Sequence, residues 1–77
     1  MSQPITIREA TLADRSAIER LAALDEAHVP AGPSLLAFVG GELAAARPLS
    51  GGVAVADPFR RTRGLVDLLD LWANSRR

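Results

Sequence analysis

Asp57-Pro58-Phe59-Arg60-Arg61-Thr62-Arg63-Gly64-Leu65-Val66-Asp67-Leu68-Leu69 reads as a strand end, an arginine-rich turn and a helix start. Upstream, Val53-Ala54-Val55-Ala56 is a short apolar strand that Asp57-Pro58 closes. Downstream, Leu65, Leu68, Leu69 and Trp72 fall at i, i+3, i+4 and i+7. That spacing predicts a helix from about Arg63 to Ser75, with Asp67, Asp70 and Asn74 on its wet face. Val66 and Leu71 widen the stripe, and Leu69 and Trp72 are expected in the core or in a subunit interface.

The turn has two chemical readings. A helix start presents free backbone N–H groups and the positive end of its macrodipole, which suits a phosphate. A glycine there lets the backbone approach closely. On this reading Arg61, Arg63 and the amides near Gly64 and Leu65 hold an anion. The other reading is a plain capped helix. Thr62 is then the N-cap, its hydroxyl accepting from the Gly64 or Leu65 amide, and Arg60, Arg61 and Arg63 are a solvated turn.

Working back along the chain, Ser50-Gly51-Gly52 is a turn, and Leu35-Leu36-Ala37-Phe38-Val39 is an apolar run of strand length. Gly40-Gly41 is a two-residue hairpin signal, because both residues tolerate positive φ. Glu42 to Arg47 is the return strand, read from the hairpin because alanine is a poor strand former. Pro48 ends it or places it at an edge. Ala27 to Ser34, with Pro30, Gly32 and Pro33, is a loop. Leu12, Ile18, Leu21, Ala22 and Leu24 recur at helical spacing and predict an amphipathic helix ending near Glu26, capped by Thr11 or Asp14. Ile5-Thr6-Ile7-Arg8 alternates as a half-buried strand does. The order is β-α-β-β-β-α. It predicts a single α+β domain over 1–77, a four-stranded, mostly antiparallel sheet packed with two helices.

A chain of 77 residues buries a modest core. It has no cysteine, so neither a disulfide nor a thiolate metal site can add stability, and oligomerisation is the common remaining route. An apolar fraction of 48% is that of a globular chain, not a disordered one. Nine basic residues balance nine acidic ones, so the electrostatic footprint of a nucleic-acid binder is absent. The local basic clusters, Arg60-Arg61-Arg63 and Arg76-Arg77, are short. No run approaches the roughly 20 apolar residues of a membrane span, and no leader peptide is read at the start. The expected location is the cytoplasm, with no nucleic-acid and no membrane partner.

The segment Arg61 to Val66 resembles the acetyl-CoA pyrophosphate loop of the GNAT N-acetyltransferases, Arg/Gln-x-x-Gly-x-Gly/Ala. Arg61 and Gly64 match; Val66 stands where that family has Gly or Ala, with a branched β-carbon that would push a pyrophosphate away. Ile5 to Asp14 is similar to the family's opening, a strand running through Arg and Thr into a helix capped by Asp. Leu35 to Leu49 resembles its central hairpin. The resemblance thus implies the N-terminal half of a GNAT domain. Its later half, with the strand that splays to admit the pantetheine arm and the usual tyrosine acid, has no counterpart in these residues. Glu9, Glu42 and Asp57 are the nearest candidates for the base that family catalysis needs, and their spacing singles out none.

Other chemistries have less to stand on. His28 is the single histidine and sits in a proline-rich loop, so no zinc set can be completed. Ser34, Ser50 and Ser75 have no histidine partner in sequence context. Phe38, Phe59 and Trp72 read as core or interface. Two roles follow. The first is a non-catalytic GNAT-like module that binds a second copy of itself through the open edge of Val53 to Ala56, with Val55 and part of the last helix nearby, or binds another protein. No cofactor is expected in that role. The alternative is an acetyl-CoA-dependent N-acetyltransferase or acyl-CoA binder whose site is completed across a dimer, with Arg61, Arg63, Gly64 and Leu65 on the pyrophosphate.

Overall fold

A computed structural model of the chain describes residues 3–30, 32–51 and 53–75. Its elements are β1 (Ile5–Glu9), a 3-10 turn (Leu12–Asp14), α1 (Arg15–Leu24), β2 (Ser34–Val39), β3 (Glu42–Pro48), β4 (Val55–Ala56) and α2 (Arg63–Ser75). The strands form one sheet in the order β1-β2-β3-β4, every pair antiparallel. The fold is the expected α+β arrangement. Arg76, Arg77 and Gly52 of the expected turn lie outside the described residues.

The hairpin between β2 and β3 follows from its glycines. Gly40 and Gly41 take φ of 59° and 87°, a region in which a β-carbon is strained, and they bring Val39 opposite Glu42. Successive side chains of β2 then alternate between two covered faces. Leu35, Ala37 and Val39 pack with Leu65 and Leu69 of α2. Leu36 and Phe38 pack with Leu21 and Ala22 of α1. The sheet is therefore the middle of three layers. Burial on both sides explains why β2 is a continuous apolar run and not an alternating one.

Small side chains line the centre of this sheet. Ala37, Ala44, Ala45 and Ala46 are fully buried, so the alanines that weaken the strand by propensity let both helices lie close to it. A β-bulge interrupts the β2–β3 register. Ala37 faces Ala45 and Phe38 faces Leu43, leaving Ala44 as the extra residue. The Ala44 carbonyl accepts the Asp57 N–H at 2.9 Å, which ties the arginine-rich turn to the middle of the sheet.

Several elements differ from expectation. The strand expected over Val53 to Ala56 is reduced to Val55–Ala56. Val53 lies outside it, 89% exposed, while the Val55 side chain is buried against α1. Leu12 leaves the α1 stripe: the 3-10 turn carries it into solvent, 93% exposed. Trp72 is 45% exposed in the protomer, and the buried residues of α2 are Leu65 and Leu69, with Val66 and Ala73 half-buried beside them. A helix lying close on an alanine-lined sheet buries a narrow stripe, and the bulky Trp72 on its flank stays half out.

Candidate functional site

The site begins where the chain leaves β4. The Asp57 Oδ1 accepts the Phe59 N–H at 2.9 Å, an Asx turn that reverses the backbone. Arg60 then folds back on itself and on the hairpin. Its Nη2 meets Glu42 Oε2 at 2.6 Å and its Nε meets Asp57 Oδ2 at 3.4 Å. Arg60 is thus committed to holding the turn against the β2–β3 hairpin.

Arg61 and Arg63 stand differently. Both are exposed, and neither has an acidic partner among the described residues. The first bond of α2 runs from the Val66 N–H to the Thr62 carbonyl, 2.9 Å. The amides of Arg63, Gly64 and Leu65 precede it, in the turn that has no intrahelical carbonyls to offer. Thr62 takes the N-cap place by its backbone, but its hydroxyl makes no hydrogen bond to Gly64 or Leu65, so the expected side-chain cap is not formed.

Gly64 is not required by the fold. Its φ is not in the positive region, and a β-carbon there would meet no heavy atom within 4 Å. The space above the helix start is open. The Leu65 side chain is buried against the sheet. Val66 is half-buried and packs against the same core.

Two of the three candidate bases share one guanidinium and the third lies apart. Arg60 brings Glu42 and Asp57 together, each engaged with its guanidinium. Glu9 lies on β1, two strands from β3. A groove of about 510 Å³ runs beside Glu42 and Asp57, walled by Leu21, Leu24, Phe38 and Leu43. A second, of about 790 Å³, lies between the 3-10 turn and the proline loop, lined by Leu12, Ile18, Val29 and Pro33 with Arg15 at its wall.

The segment from Arg8 to Asp14 is tightly bonded within itself. Arg8 Nη1 and Nη2 donate to Asp14 Oδ2 and Oδ1, both at 2.8 Å. The Thr11 N–H donates to Oδ2 at 2.7 Å and its hydroxyl at 3.1 Å. The Arg8 guanidinium also lies 4.7 Å from the Phe38 ring centre. Those hydrogen bonds, the Arg8 pair foremost and the Thr11 amide next, hold the Asp14 carboxyl well below the usual carboxylate range against the opposing effect of burial.

Among the described residues no His/Cys/Asp/Glu group could hold a metal ion, and no helix is long and apolar enough to cross a membrane. Compared with family models, with curated proteins and with solved structures, the chain has no match.

The sequence reading missed the tether of Arg60 and the role of Asp25, whose carboxylate reaches β4 from the end of α1. No local signal marks either, because each partner lies far along the chain.

Proposed function

We propose that this chain is a GNAT-like half-domain acting as a non-catalytic binding module in the cytoplasm, most simply as a homodimer. The observation that carries this reading is the set of apolar side chains left in water on either side of β4 and along α2. Val53 is 89% exposed, Phe59 81%, Leu71 62% and Trp72 45%. A chain of this size gains from covering such side chains, and a two-fold contact with its own copy is the simplest cover. The pairing of Glu42 and Asp57 with Arg60 supports the non-catalytic part, since both candidate bases serve the turn.

A second reading has its own observation. Arg61 and Arg63 lack acidic partners among the described residues, and the helix start beneath them is open at Gly64. These residues fit the anionic end of acetyl-CoA, which Arg61, Arg63 and the Gly64 and Leu65 amides would hold. When bound, that group supplies an activated acetyl for transfer to an amine.

Two measurements address these readings. Sedimentation at micromolar concentration is expected to give a species of twice the 8.1 kDa protomer. Melting with and without acetyl-CoA is expected to give the same midpoint. A ligand at about 100 times its dissociation constant stabilises by about 2.7 kcal/mol, which moves the midpoint of so small a domain by more than ~10 °C. A protomer-sized species sinks the homodimer. A melting shift of that size, abolished by Arg61→Ala, favours the acyl-CoA reading instead.

A further inference from the structure

We infer that Asp25 is a closing group for the outer edge of β4, and that it holds this edge shut against a second copy of the chain. The inference rests on the proposed homodimer and on the expectation that a second copy would pair at the open edge of β4. β4 pairs with β3 through Ala45 opposite Ala56 and Ala46 opposite Val55. The Asp57 N–H points back toward β3, to the Ala44 carbonyl. Successive N–H groups along an extended strand point to alternate sides. The Ala56 N–H therefore points away from β3, to the side on which the next strand of the sheet would lie.

That N–H is taken. It donates to Asp25 Oδ2 at 3.2 Å. The carboxylate stands where the carbonyl of a pairing strand would stand. It is delivered by a firm support: the Asp25 N–H is bonded to the Leu21 carbonyl at 3.1 Å, and the chain then turns through Glu26 at φ 51° and closes from Ala27 N–H to the Ala22 carbonyl at 2.9 Å. This 6→1 bond is that of a Schellman closure, and it fixes the end of α1 beside the strand. With β4 two residues long, Ala56 supplies the outward donor of that strand. A single acceptor is then enough to close it.

The occupant that Asp25 excludes is a second protomer. Pairing of β4 with itself about a two-fold axis uses the same edge on both chains, so one displaced carboxylate per protomer opens both halves of the contact. Val53 shares the side-chain parity of Val55. Val53 itself is exposed and lies outside the strand.

The test compares Asp25→Ala, which removes the acceptor, with Asp25→Asn, which keeps a carbonyl oxygen there. Self-association is read by sedimentation over a micromolar range, and exchange of the Ala56 amide by NMR. Asp25→Ala is expected to dimerise about tenfold more tightly than the wild type, with Asp25→Asn close to the wild type. Monomeric wild type is expected to protect the Ala56 amide. Equal association of all three proteins overturns the inference, and so does an Asp25→Asn protein that associates like Asp25→Ala. Should Asp25→Ala fail to fold, rapid Ala56 exchange in the monomeric wild type overturns it and protection upholds it. A monomeric wild type with a dimeric Asp25→Ala sinks the homodimer but upholds the closing role. A dimeric wild type that Asp25→Ala leaves unchanged does the reverse.

Discussion

Asp14 is the most densely bonded side chain described, with four hydrogen bonds from Arg8 and Thr11 converging on one buried carboxylate. Its pH behaviour follows from the direction of its shift. As pH falls through the ordinary carboxylate value near 3.8, the unfolded chain takes up the proton first. The stability that Asp14 contributes is therefore present above that pH and is lost progressively below it, toward its depressed folded value. Melting midpoints taken from about pH 5 down to about pH 3 are expected to fall less steeply in Asp14→Asn than in the wild type. Asp14→Ala also removes the acceptor that closes the turn before α1, a loss of about 1 kcal/mol in the manner of a helix cap. Thr11 and Asp14 were legible as N-cap positions from their types and place, although neither side chain caps the helix that follows it. That Arg8 would bind Asp14 in a fork was not, because two residues of a strand-to-helix junction must first be brought face to face.

At the scale of elements, α2 shows what periodicity settles and what it leaves open. Leucines at helical spacing announce the helix, and its bounds came out as expected. They do not say which flank is buried, because Leu68 and Trp72 are as apolar as Leu65 and Leu69. The depth of the sheet beneath decides, and alanines make that sheet shallow. Leu69→Ala should therefore cost about 2–5 kcal/mol, a large part of the 5–15 kcal/mol typical of a whole domain. Trp72→Ala should leave the protomer folded and weaken self-association. Denaturant melts at low concentration read the first effect and sedimentation the second. A Trp72→Ala protein that unfolds as readily as Leu69→Ala would contradict this division. The β4 strand shows the reverse limit: its composition is legible, but its length depends on a pairing partner, and β3 offers it two registered residues.

For the molecule as a whole, the β-α-β-β-β-α order was legible because each element is set by local signals, glycine turns and apolar spacing. The candidate site was less so. Three arginines of one turn look alike in sequence, and Arg60 is set apart from Arg61 and Arg63 by Glu42, which lies on another strand. If the protomer is completed by its own copy, stability becomes a function of concentration. The melting midpoint is expected to rise as the protein is taken from the low to the high micromolar range, and a constant midpoint would argue for a self-sufficient monomer. The alanine wall of the sheet has a consequence for how such a chain can change over generations. Ala45 serves the α2 layer and Ala46 the α1 layer, so a bulkier residue at either lifts a different helix, at about 1–3 kcal/mol of overpacking. The two layers can drift separately, one redesigned for a new neighbour while the other keeps its fit, with the strand between them as the common boundary.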